Sequence, residues 1–275
     1  MGGMTGSLLL LLWAGVSVST MVDLQKRIIN GQNCRNNERQ YHVKLIMKSQ
    51  TDTSFCGGSL ISDEWILTAA HCWEPGETIE AVFRVHPGVN KITEPIQVKN
   101  IKIFKDKDIN GNDRTHDIML LRLTTPRPGF KQIKLPYCAN HPTPRNVMVQ
   151  IAGHGATTAG PGGKRNPGEV QHLQCADVKA IDCPWAKTPN QYQKVFCGQT
   201  DDKTKPVDAC HGDSGGGVVY KDRIYGVIVT VDKKACTAPV EFMDVCGYMP
   251  WITQITAIKP PKSAVDKIKD CFGCG

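Results

Sequence analysis

Ser214 lies in the string DACHGDSGGGVVY, residues 208–220, among Gly212, Gly215, Gly216 and Gly217. A serine hydroxyl is a weak nucleophile that needs an adjacent base, and the base needs a carboxylate to fix its tautomer. Two further strings supply those types. LTAAHC carries His71 behind an apolar, strand-like run, and HDIMLLRL carries Asp117 at the head of another. Glycines beside the serine suit a nucleophile whose neighbouring amides must converge on one small space, since glycine alone turns sharply or allows close approach without steric cost. Singly, each string also fits a plainer part: a surface turn, a structural His beside a Cys, an Asp opening a strand. Together they point to acyl transfer.

A second constellation competes for Asp117. DKDINGNDRTHD spaces Asp106, Asp108, Asn110, Gly111 and Asp117 much as a twelve-residue calcium loop does. Its eighth position is Asp113, its last is Asp rather than Glu, and strands flank it, so DINGND reads as a turn.

The elements that must hold these residues are short. The chain has 275 residues, 40% hydrophobic and 21% charged, which is ordinary globular composition. Runs such as YHVKLIM, EAVFRVH, NVMVQIAG and IYGVIVTV alternate or cluster as strands do, with EPGE, TTPRPG and NHPTPRN between them. That pattern predicts an all-β protein, a sandwich or barrel. A Pro-rich stretch near 131–146 joins two halves of similar size. PWITQITAI reads as a helix, with Pro250 at its start and Trp251, Ile255 and Ile258 on one face.

Twelve cysteines suit a disulfide framework in an oxidising compartment. The apolar run after MGGMTGS is too short to span a bilayer and reads as a secretory signal peptide, residues 1–19. No later segment predicts a membrane span, so a secreted, extracellular protein is expected. The net charge of +7 includes Asp23, Lys26 and Arg27, whose removal lowers it by one. This moderate excess suits a solvated surface with weak polyanion binding. Specific nucleic-acid binding is not expected.

TAAHC, DIMLL and GDSGG, in that order, make residues 28–258 resemble the chymotrypsin/trypsin family of serine proteases. The resemblance implies two six-stranded antiparallel β-barrels with the active site in the cleft between them and a C-terminal helix. It makes Ser214 the nucleophile, His71 the general base and acid, Asp117 the orienting carboxylate, and the Gly212 and Ser214 amides the oxyanion hole. QKRIINGQ then reads as an activation site. Residues 20–27 become a propeptide, and cleavage after Arg27 frees the Ile28 amino group to pair with Asp213. The resemblance further implies the bridges Cys34–Cys175, Cys56–Cys72, Cys138–Cys246, Cys183–Cys197 and Cys210–Cys236. Tyr220 and Val149 stand where the family has one more pair. Cys271 and Cys274, in the lysine-rich tail 259–275, are left to bridge each other, stay exposed or join another molecule. The family's calcium loop falls near HPGVNKITEP, which holds only Glu94, so neither a metal nor another cofactor is expected.

Several positions depart from the family pattern. Gly217 replaces its proline, and Val229, Thr230 and Val231 replace SWG, which removes a serine that helps hold the catalytic carboxylate. His154 replaces a tryptophan and is expected at the cleft rim. Asp208 falls where trypsin has the carboxylate at the base of its specificity pocket, but Val231 and Val240 replace the two wall glycines. The expected activity is a secreted serine endopeptidase made as a zymogen, acting on protein or peptide substrates and open to serine-protease inhibitors. The alternative is a catalytically weak or inactive homologue that serves as an extracellular binding protein.

Overall fold

The computed structural model describes residues 28–138, 143–155, 170–185, 191–201, 204, 206–230 and 237–259. The signal peptide, the segment with Arg27, Val231, Cys236 and the tail from residue 260 lie outside them.

Strand β1 is Gln32–Asn33. Strands β2 to β8 are His42–Lys48, Thr53–Leu60, Trp65–Thr68, Thr78–Phe83, Ile92–Ile96, Ile101–Lys107 and Asp113–Arg122. Strands β9 to β14 are Met148–Gly153, Gln174–Ile181, Val195–Gln199, Gly217–Tyr220, Arg223–Thr230 and Val240–Asp244. Alternation builds them. In β2, Val43, Leu45 and Met47 turn inward, while Lys44, Ile46 and Lys48 are more exposed.

Two antiparallel sheets result. In one, β9, β10, β11, β14, β13 and β12 close a six-stranded ring, and the short β1 adds to β10. The other is a curled sheet of seven strands in the order β6-β5-β2-β3-β4-β8-β7. Its edges remain apart because β7 leaves β6 through a 3₁₀ turn, Val98–Asn100, and pairs with β8 instead. This half is therefore more open than the six-stranded barrel expected.

The sheets meet at a seam where backbone approaches backbone. Gly57 N–H donates to the Ser214 carbonyl at 2.7 Å, and a Cβ on Gly57 would lie 3.0 Å from Gly216 Cα. The helix α1, Met249–Thr256, has Pro250 in its first turn and ends on Ala257 in the left-handed region, φ 57°. Its most buried residues are Met249 and Ile252, whereas Trp251, Ile255 and Ile258 pack partly buried on the same core. The expected face thus lies on the core and is extended by Met249 and Ile252, with Tyr248 of the preceding 3₁₀ turn, Val245–Tyr248, buried in the same cluster.

Cys34–Cys175, Cys56–Cys72, Cys138–Cys246 and Cys183–Cys197 are bonded. The fifth expected pair depends on Cys236, outside the described residues. No helix among the described residues is long and apolar enough to cross a membrane.

Candidate active site

His71 sits on a 3₁₀ turn, Ala70–Cys72, directly after β4, and the Cys56–Cys72 bridge ties that turn to β3. Asp117 lies in the middle of β8, which pairs with β4 from Trp65↔Arg122 to Thr68↔Met119. Strand pairing therefore brings the two residues together. Asp117 Oδ1 accepts the His71 backbone N–H at 2.8 Å, and Asp117 Oδ2 lies 2.7 Å from His71 Nδ1. The carboxylate binds both backbone and ring of the histidine, which fixes ring orientation and leaves Nε2 as the free edge.

Ser214 comes from the other sheet. Its turn is held by Gly215 N–H to the Ile228 carbonyl at 2.7 Å and Gly216 N–H to the Asp213 carbonyl at 3.0 Å. Two glycines here have φ in the left-handed region, Gly212 at +95° and Gly215 at +79°. A Cβ on Gly212 would lie 2.4 Å from Phe55 Cε2, and one on Gly215 would lie 2.2 Å from both the Gly57 carbonyl oxygen and Thr68 Oγ1. The glycine cluster thus answers a backbone and packing requirement at the seam.

His71, Gly212 and Ser214 line one cleft of ≈ 410 Å³, with Phe55, Met47 and His211. Among the described residues the N–H groups of Gly212 and Ser214 donate to no protein acceptor, so both are available to an incoming oxygen. Ser214 Oγ makes no hydrogen bond to His71 among the described residues. Such contacts are often long without substrate and tighten only in the Michaelis complex.

Behind this cleft, Asp213 is fully buried. Its carboxylate accepts Gly155 N–H at 2.8 Å and Cys210 N–H at 2.7 Å. Ile28 is also fully buried, in an apolar cluster with Ala209, Ile228, Val240 and Phe242. The next residue, Ile29, donates its N–H to the Asp208 carbonyl at 3.0 Å.

The expected pocket residues Asp208 and Val240 are 1% and 3% exposed. Val240 packs into the apolar interior of the closed ring and does not line the described cleft. Val231, the other expected wall, is outside the described residues.

His154 is not at the rim. It is 4% exposed and packs on His42. An imidazole is small enough to turn into the seam, and burial keeps it uncharged: its pKa falls to about 3, chiefly by desolvation. DINGND forms the turn of the β7–β8 hairpin. Asp108 Oδ1 accepts Asn110 N–H at 2.8 Å and Asn112 N–H at 2.9 Å, while Asp106 pairs with Arg114. The acids of the calcium-like spacing are thus taken up by the turn and an ion pair, with Asp117 turned to His71. Glu94 is likewise internal, accepting from Thr124 N–H and Thr125 N–H and pairing with Arg127.

A closed six-stranded ring and a curled sheet meeting at such a cleft form the chymotrypsin fold. A solved structure of HL collagenase superposes with a TM-score of 0.65 at 28% identity, covering 84% of this chain and 100% of that one. The sequence model of the trypsin family matches residues 28–252, and the chain belongs to that family. Among curated relatives, human putative trypsin-6 is 27% identical over 91% of this chain and 98% of its own length. Human kallikrein-9 is 29% identical over 83% of this chain and 90% of its own length. These relatives support a serine protease function for the chain.

Proposed function

We propose that the protein is a secreted serine endopeptidase, made as a zymogen, that cuts peptide bonds through an acyl-enzyme. The observation that carries this reading is the double hold of Asp117 on His71, at 2.8 and 2.7 Å, with Ser214 lining the same cleft. His71 Nε2 takes the Ser214 proton as Oγ attacks the scissile carbonyl, then delivers it to the leaving amine. Asp117 stabilises the imidazolium formed between these steps. The carbonyl oxygen, now negative, accepts from the Gly212 and Ser214 amides. Water, activated by the same histidine, then attacks the acyl-enzyme and releases Ser214. The relatives' kind of substrate, protein or peptide, and their susceptibility to protein inhibitors carry over as part of this reading.

Activation follows cleavage after Arg27. The freed Ile28 ammonium would join Asp213, which already lies buried behind the nucleophile turn. Asp208 stands where trypsin has its pocket carboxylate, and valines replace the two wall glycines at 231 and 240, so the expected preference is restricted cleavage after Arg or Lys, with small residues second.

Labelling by a fluorophosphonate probe tests the reading. Protein cleaved after Arg27 should label at Ser214, and Ser214→Ala should abolish both labelling and peptide hydrolysis without unfolding. Correctly cleaved and oxidised protein that never labels would overturn the enzymatic reading in favour of an extracellular binding role.

A further inference from the structure

Both carboxylate oxygens of Asp117 are engaged by His71. What holds Asp117 itself is its backbone. Its N–H donates to Gln193 Oε1 at 2.6 Å, and two residues earlier the Thr115 carbonyl accepts the Tyr192 hydroxyl at 2.9 Å. The segment 192–194, inside the Cys183–Cys197 loop, therefore grips β8 on both sides of His116. That segment is pinned in turn. Lys194 N–H donates to Tyr248 Oη at 3.0 Å, and Tyr248 Oη lies 2.7 Å from His116 Nδ1. The contacts close a circuit: Asp117 to Gln193, one covalent step to Lys194, on to Tyr248 and His116, and one covalent step back to Asp117.

The proton positions in this circuit follow from its neighbours. His116 is 2% exposed, walled by Phe104 and Tyr192 with ring centroids at 4.8 and 5.0 Å. Its Nε2 lies 3.1 Å from Asp106 Oδ1, although the N–H is not aimed straight at that oxygen. Arg114 holds the Asp106 carboxylate at 2.8 and 2.6 Å, which lowers its pKa to about 2 and keeps it ionised. An anion beside Nε2 favours the proton on that nitrogen, leaving Nδ1 as an acceptor. Tyr248 then accepts from Lys194 and donates to His116, so these two hydrogen bonds share one hydroxyl and point the same way, each strengthening the other.

We propose that His116 and Tyr248 are positioning residues for Asp117, acting through Lys194 and Gln193 to set where the His71–Asp117 pair sits. The proposal rests on the reading of Asp117 as the catalytic carboxylate. A residue merely filling the core would change stability alone; this circuit governs the placement of a reacting group, so its loss falls on turnover.

In full-length protein cleaved after Arg27, Tyr248→Phe and Gln193→Ala should each lower kcat roughly 10- to 100-fold, with KM held within about twofold, since displacements near 1 Å cost about that much. His116→Asn, whose side-chain oxygen can accept near the place of Nδ1, should recover most of the activity that His116→Leu loses. In the Ser214→Ala background, the downfield NMR proton of the His71–Asp117 hydrogen bond should shift or broaden when Tyr248→Phe is added. A folded Tyr248→Phe protein with wild-type kcat and an unchanged downfield proton would overturn the proposal. Should Tyr248→Phe fail to fold, Gln193→Ala decides on the same two readouts. The NMR signal is read without the nucleophile, so failure of this inference is distinguishable from wild-type protein that never labels at Ser214.

Discussion

The imidazoles of His42 and His154 face each other across the seam between the sheets, ring centroids 5.2 Å apart and tilted by 46°. Desolvation holds the His42 pKa well below its ordinary value, helped by His154, Arg39 and His86. Desolvation is also the main cause at His154, joined by Lys44, His86, Lys91 and His172. The charged neighbours of this pair are thus basic. Because the folded values are depressed, the unfolded chain binds protons first as pH drops below about 6.5, and the native state loses stability from there downward. For His154 the loss ends near pH 3, where the folded protein also protonates. Each such histidine contributes a slope of about 1.4 kcal/mol per pH unit. Urea unfolding at pH 7.5, 6 and 5 should therefore show falling stability, with a smaller slope in His154→Phe. A flat profile in wild type would contradict the neutral-pair account.

Two alanine substitutions beside Ser214 should differ in how far they lower stability and activity. At Gly212 the new Cβ meets chiefly the Phe55 ring, but the backbone φ of +95° is itself strained for alanine. Gly212→Ala should therefore lower the thermal midpoint less than Gly215→Ala while displacing an oxyanion donor, costing about 10²–10³ in kcat. At Gly215 the obstacle is the Gly57 carbonyl and the buried Thr68 hydroxyl, neither of which can move freely. Gly215→Ala should lower the thermal midpoint as well as activity. Calorimetry alongside kinetics reads the difference.

Activation should depend on a charge rather than on release of a blocking peptide alone. A free α-amino group titrates near about 7.7–8.0, and pairing with Asp213 raises it. The pair then stabilises the active form at neutral pH and is lost as pH climbs through the raised value. Activity of the cleaved enzyme should fall on the alkaline side, whereas an Arg27→Gln precursor should stay inactive at every pH. A precursor as active as the cleaved enzyme would remove Ile28 from the mechanism.

The valines that replace the family's wall glycines can be told apart by substitution. Val231→Gly should raise cleavage after Arg or Lys in a peptide-library profile, whereas Val240→Gly, in the interior of the closed ring, should chiefly lower the thermal midpoint. A wild-type enzyme that already cuts after Arg efficiently, with no gain in Val231→Gly, would refute a narrowed pocket.

The strands and the helix were legible because alternation and a starting proline each leave a local mark, and the three motif strings named the residues His71, Asp117 and Ser214, of which His71 and Ser214 line one cleft. His154 was not legible. The sequence shows a polar residue in place of a large aromatic one, and only the facing His42, 112 positions away in the chain, explains why it turns inward. The circuit through His116 was equally hidden. Tyr248 and Gln193 carry no motif, and they reach Asp117 only once the Cys183–Cys197 loop and the final 3₁₀ turn have packed against β8. The open edge of the seven-stranded curled sheet leaves no such local mark, because closure depends on where β7 pairs rather than on its composition.

The bond between Cys138 and Cys246 spans 108 residues and encloses all six strands of the closed ring, β9 to β14. The half of the molecule that carries Ser214 is therefore a covalent hoop whose clasp sits beside the C-terminal helix. A single nick anywhere within it releases nothing until a reductant opens the clasp. For the unfolded chain, closing a hoop of that size removes conformational freedom worth about 4.7 kcal/mol on the chain-entropy account. After a first cut within the hoop, Ser214 would stay tethered to the half that carries His71.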